Sequence, residues 1–171
     1  MQLTLHADYS LRILIHLATH SDRLVDAGEL AQAYGVSRHH LVKVGSKLAH
    51  LGYVEAVRGR NGGLRLKKDP GLIVVGAVVR RVEPDFDIAE CFDRGRNTCP
   101  IAPACGFKGA LAEARDAFLR VLDGYTLADF ARRRAALEGL WLSPTREGAS
   151  SAKGVKSGRT KGARRKASEG S

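Results

Sequence analysis

The sequence predicts a mainly α-helical chain with one small β-hairpin, and three observations carry that prediction. Apolar residues recur at helical spacing through most of residues 3–51. An alternating stretch, "YVEAV", is followed by the turn-rich "RGRNGG" and by a second alternating stretch, "LRL". Residues 107–122 then return to an apolar stripe at helical spacing.

The first helix is expected over residues 3–20, where Leu3, Ala7, Leu11, Leu14, Ile15 and Ala18 share a face and Thr4 supplies an N-cap. A second opens at Asp26, with Glu29 three residues on as a capping-box partner, and stops at Gly35. A third, Arg38 to Leu51, turns Leu41, Val44, Leu48 and Leu51 inward and is capped by Ser37. The hairpin follows, with Asn61-Gly62-Gly63 at its tip, where positive φ is expected. Two short helices joined at a glycine, then a hairpin, make a winged helix-turn-helix.

Asp69 as cap and Pro70 at the first helical position announce a fourth helix. It should bury Leu72, Ile73, Val75, Val78 and Val79 and end before Pro84. The long helix of residues 107–122 carries Leu111, Ala114, Phe118, Val121 and Leu122, and "YTLADFA" starts a short last helix. Since the long helix lies beyond the compact unit, its apolar face needs another partner, and a second copy of the chain, a homodimer, supplies one. The expected organisation is a winged-helix unit over 1–83, a cysteine loop over 84–106, a dimerisation helix and C-terminal helix over 107–143, and a basic tail over 144–171. From Pro144 onward Val155 is the only larger aliphatic residue, so that tail cannot build a core and is expected to be disordered.

Charge narrows the function. The 171 residues hold 28 Lys+Arg against 18 Asp+Glu, a net charge of +10 that points to nucleic acid or an anionic surface. Between Gly35 and Lys68 the sole acid is Glu55, so positive charge gathers where a winged helix meets double-stranded DNA. Arg38, His39, His40, Lys43 and Lys47 suit the major groove, and Arg58 and Arg60 suit phosphate or minor-groove contact from the wing. With Ser37 at the helix start and Asn61 at the wing tip they form the candidate DNA-binding set. The tail should add salt-dependent attraction to phosphate without choosing a sequence. No apolar run is long enough to span a membrane, and "MQLTLHADYSLR" lacks a leader pattern, so a cytoplasmic protein is expected. The winged helix and long helix use up the ordered chain, leaving no domain to enclose a substrate, which argues against an enzyme.

All three cysteines stand in "CFDRGRNTCPIAPAC", as Cys91, Cys99 and Cys105. In a reducing compartment an odd count argues for metal or redox chemistry over disulfides. The loop lacks the short C-x2-C knuckle of structural zinc sites, whereas wide spacing stiffened by Pro100 and Pro103 suits an iron–sulfur cluster. Clusters normally take four protein ligands, so one further donor is needed; Glu90, Asp93, His6 and His16 are candidates.

"MQLTLHADYSLR", "YGVSRHHLVKV", "LGYVEAVRGRNGGLRL", "CPIAPAC" and "YTLADF", in that order across about residues 1–130, resemble the NsrR-type nitric-oxide-sensing repressors among the winged-helix iron–sulfur regulators. The resemblance implies a [4Fe–4S] cluster on Cys91, Cys99 and Cys105, with Asp8 of the other subunit as fourth ligand, although Arg12, four residues on, can pair with Asp8 instead. It implies nitric oxide as the signal and release of promoter DNA as the response. Relatives with a [2Fe–2S] cluster carry a histidine three residues after the last cysteine, where this chain has Lys108. The alternatives are a [2Fe–2S] cluster and a related regulator that senses cluster supply or redox state.

Overall fold

A computed structural model describes residues 2–93 and 95–142. The segment from Pro144, expected to be a disordered basic tail, lies outside the described residues. Helix α1 (Leu5–Thr19) starts at Thr4, whose Oγ1 accepts the Ala7 N–H at 3.2 Å. It is the central strut, packed against α3, α4 and α6 and touching the hairpin. That position explains why burial extends beyond the predicted face: Ile13 and Leu17 are inside as well as Ala7, Leu14 and Ala18. The buried hydroxyls of Ser10 and Thr19 donate to the carbonyls of His6 and Ile15, so neither is left unmatched.

Helix α2 (Ala27–Tyr34) begins as expected, with Asp26 accepting the N–H groups of Gly28 and Glu29. The reciprocal half of the expected capping box is not made, because the Glu29 carboxylate is drawn to Arg23 and His16. Gly35, at φ +63°, ends the helix. In α3 (Arg38–His50) Leu41, Val44 and Leu48 are buried and Leu51 just beyond is half-buried. Ser37 holds the N-cap position without a side-chain bond to the first turn, and that helix end is exposed.

Strands β1 (Val54–Val57) and β2 (Gly63–Leu66) pair antiparallel, Val54 opposite Leu66 and Val57 opposite Gly63. Val25, from the α1–α2 connection, adds one rung by exchanging two backbone hydrogen bonds with Leu64. The positive φ expected at Gly62 and Gly63 lies instead at Gly59, φ +112°. Gly62 is needed for closeness: a Cβ there would stand 2.3 Å from the Val57 carbonyl oxygen.

The expected fourth helix is divided. Asp69 caps a 3₁₀ turn at Pro70–Leu72, and α4 (Val75–Val82) starts only after an interruption. Ile73 and Val74 are held extended by hydrogen bonds to the start of α6 (Leu127–Ala131): Leu127 N–H donates to Ile73 O, and Val74 bridges Thr126. Leu72, expected inside, is 76% exposed on that turn. Val75, Val78, Val79 and Val82 are buried as one face of α4.

Helix α5 (Gly106–Asp123) is anchored at one end only. Leu119 is buried, Phe118 and Leu122 pack on the core, and Asp123 takes a two-pronged ion pair from Arg80 of α4 at 2.5 and 2.7 Å. Of the expected stripe, Leu111 is half-buried while Ala114 and Val121 are exposed, as is Phe107 at the start of the helix. Helix α6 (Leu127–Ala131) opens with a full capping box between Thr126 and Asp129. A further helix, α7 (Arg134–Leu142), was not anticipated; it packs on α2.

Candidate nucleic-acid interface and metal centre

The two faces of α3 divide cleanly. Leu41, Val44, Gly45 and Leu48 are buried, whereas Arg38, His39, His40, Lys43 and Lys47 are all exposed. Arg58, Arg60 and Asn61 are exposed at the wing tip, and Ser37 at the start of α3. Among the described residues Arg38, Lys43, Lys47, Arg58 and Arg60 take part in no ion pair, while Arg65 of the wing is neutralised by Glu55 across the strands at 2.9 Å. The unpaired cations are thus free to meet phosphate. Helix and wing are held close: a Cβ on Gly45 would stand 2.8 Å from a Leu64 methyl, so bulk at that contact would make the Leu64 side chain shift.

Cys91, Cys99 and Cys105 are free thiols, half-buried, on the segment between α4 and α5. Carboxylates organise that segment. Glu90 accepts from Thr98 N–H at 2.5 Å and Thr98 Oγ1 at 2.7 Å, clipping the residue before Cys91 to the residue before Cys99. Asp93 accepts from Gly95 N–H, Arg96 N–H and the Arg96 guanidinium. These bonds hold both carboxyls below their ordinary range, that of Glu90 chiefly through the Thr98 hydroxyl and that of Asp93 chiefly through Arg96. Glu90 and Asp93, candidates for the missing ligand, are therefore engaged in shaping the loop.

Cys105 stands at the N-cap of α5, an 18-residue helix whose first turn has no side-chain cap. Three free thiols, one at a helix N-terminus, form a donor set suited to an anionic iron–sulfur centre. None of them belongs to a group of three ligating atoms at single-ion spacing among the described residues, which is the arrangement a mononuclear zinc site requires.

Asp8 lies in the first turn of α1, half-exposed, and is gripped by Arg12 through two contacts of 2.7 and 3.0 Å. Arg12 in turn lies over the rings of Tyr9 and Tyr34. Within one chain, then, Asp8 is spoken for by its helical neighbour and is not gathered with the thiols. His6 is half-exposed on the same helix.

His16, the other histidine candidate, belongs to a different site. It is 1% exposed, its Nε2 lies 3.0 Å from Glu29 Oε1, and His20 and Trp141 pack against it. His16, His20 and Glu29 each bring a donor atom within 4.8 Å of the others. Burial is the largest influence on His16 and pulls its pKa below the ordinary histidine value, while the Arg23 hydrogen bonds bring Glu29 down to about 2. The four-residue spacing of His16 and His20 is visible in sequence; their meeting with Glu29 depends on how α2 packs.

A winged-helix unit with a free basic face and a thiol-bearing loop defines a class of DNA-binding proteins with metal-linked control. The sequence matches the Rrf2 family, described as iron-dependent transcriptional regulators, over residues 3–133. The chain belongs to that family, and is a transcriptional regulator rather than an enzyme. It is 52% identical over 130 residues to the HTH-type transcriptional regulator NsrR of Bacillus licheniformis, covering 75% of this chain and 91% of that protein. Against the protein of the same name from Bacillus subtilis it is 50% identical over 135 residues, covering 78% and 92%. Among solved structures, CymR, the global cysteine regulator of B. subtilis, superposes with a TM-score of 0.62 at 28% identity, covering 77% of this chain and 96% of that one. IscR of T. potens gives 0.59 at 26%, covering 75% and 85%. No helix among the described residues is long and apolar enough to cross a membrane.

Proposed function

We propose that this protein is a homodimeric repressor that reads promoter DNA with α3 and the wing and releases it in response to nitric oxide. Cys91, Cys99 and Cys105 would hold a [4Fe–4S] cluster, with Asp8 of the second copy as fourth ligand. The observation that carries the reading is the position of the three free thiols, on the segment joining the DNA-reading core to a helix whose starting half is left exposed. When bound, the cluster supplies an iron with an exchangeable oxygen ligand, a site at which nitric oxide can coordinate.

The chain's own residues make this a switch. Asp8 has two partners to choose between: iron across the dimer, or Arg12 of its own helix, to which it is bidentately fitted. With Asp8 given to the other subunit, each α1 is tied to its partner, and α1 is packed directly on α3. The two α3 helices then stand at a fixed separation, as half-sites about 34 Å apart require. Once Asp8 returns to Arg12 that tie is gone, and tenfold weaker binding needs only about 1.4 kcal/mol of misfit. Ile101, Phe107 and Val121 are exposed apolar side chains that a second copy would cover.

Mixed dimers test the shared site. One subunit carries Asp8→Ala and the other carries serine at Cys91, Cys99 and Cys105. Shared ligation predicts that the mixture regains one cluster with the wild-type spectrum and nitric-oxide response, while neither homodimer does. A mixed dimer that behaves like the Asp8→Ala homodimer would place the fourth ligand elsewhere.

A further inference from the structure

We propose that His16, His20 and Glu29 form a second metal site, for one divalent transition-metal ion of the zinc class, separate from the cysteine loop and independent of the cluster reading. His16 and His20, one helical turn apart on α1, present stacked rings with centroids 4.6 Å apart. Glu29 reaches them from α2, and the three donors lie within 4.8 Å of one another. A zinc ion with bonds of about 2.0–2.2 Å sets neighbouring tetrahedral donors about 3.4 Å apart, so the donors must close in by up to about 1.4 Å, a shift within reach of side-chain rotation.

The hydrogen bonding already has the form of a ligand shell. His20 Nδ1 lies 3.0 Å from the His16 carbonyl oxygen, which can only accept, so Nδ1 carries the proton and Nε2 is left as the donor atom for a metal. That Nε2 faces Glu138 Oε1 of α7 at 3.6 Å, beyond hydrogen-bond length, while the same oxygen is paired with Arg134 at 2.7 Å. Arg23 grips both oxygens of Glu29 at 2.6 and 2.8 Å and keeps the carboxylate turned toward His16. His16 Nδ1 is buried and has no partner among the described residues, so one nitrogen of this ring is committed to no hydrogen bond. The donors border a cavity of about 430 Å³ that also meets Trp141, giving an ion room for a water or Glu138 as fourth ligand. An ion here would bind α1 to α2, the helix leading into α3, and through Glu138 to α7.

Trp141 is the chain's sole tryptophan, and its ring centroid is 4.1 Å from that of His16, so its emission reports on the site directly. The test uses the full chain with serine at Cys91, Cys99 and Cys105, which removes competing thiols. Nickel(II) is expected to quench Trp141 saturably at one ion per chain, and zinc(II) to raise Tm. His20→Gln and Glu29→Gln should each abolish both effects while leaving the circular dichroism unchanged. If Glu29→Gln unfolds, His20→Gln decides, and the same difference is read between the wild-type chain and its His20→Gln variant. Absence of saturable quenching, quenching indifferent to His20→Gln, or a Trp141 signal that follows pH alone would overturn the site.

Discussion

The DNA-reading unit and the cysteine segment of this protein are built on opposite plans. The unit is set by dry packing: Leu14 and Ile13 of α1, Leu41 and Leu48 of α3 and Val78 of α4 are all essentially inaccessible to solvent. Between Pro84 and Cys105 no residue is fully buried among those described, and order comes from short-range polar clips such as Glu90 to Thr98. A packed core resists local change because every atom has neighbours to lose. A clipped loop can rearrange at small cost, which is what the proposed gain and loss of a ligand would require.

That contrast can be broken or sharpened by substitution. Leu48→Ala should have the largest effect, removing about 3 kcal/mol of stability by opening a cavity between α3 and its neighbours; chemical denaturation measures it, and DNA binding should fail with it. Arg38→Ala should leave the denaturation midpoint in place but cost about 2 kcal/mol of operator affinity, with relaxed preference at one base position, if Arg38 reads a guanine edge. Thr126→Ala removes the cap of α6 and should cost about 1 kcal/mol, seen as a lower Tm. Smallest on global stability is Glu90→Gln, which weakens the clip on Thr98. Its effect should appear in hydrogen exchange confined to residues 90–99, with Tm unchanged. A large Tm shift from Glu90→Gln would mean that the loop is part of the core after all.

Much of the reading unit was legible because its signals are local. Thr4 and Asp26 cap the helices they precede, Gly35 ends α2, and the alternation around "RGRNGG" marks the wing. The departures arise where a distant segment decides. Ile73 and Val74 look helical after Pro70, yet their backbone is claimed by residues 126 and 127, some fifty positions on. Ile13 and Leu17 fall outside a single apolar stripe because α1 is surrounded rather than laid on a surface. Gly62 carries a turn signature, but its value lies in the approach of the Val57 carbonyl, which only the folded hairpin reveals.

The candidate sites divide in the same way. The basic residues of α3 could be placed on one face from their spacing, and the three cysteines could be assigned to one loop. What the sequence did not disclose is that Glu90 and Asp93 are already engaged within that loop, whereas the pairing of Asp8 with Arg12 followed from their four-residue spacing. The His16–His20–Glu29 group needed α2 to be packed on α1 before it existed at all. Trp141, its cover, belongs to a helix that no local signal had singled out.

The central claim is that the liganded cysteine loop sets the spacing of the two DNA-reading helices. Fluorescence anisotropy on operator DNA, measured anaerobically at one salt concentration, tests it for protein reconstituted with iron and sulfide, for the same sample after nitric oxide, and for metal-free protein. The account predicts tight binding for the first and at least about tenfold weaker binding for the other two. Equal affinity in all three states would contradict it.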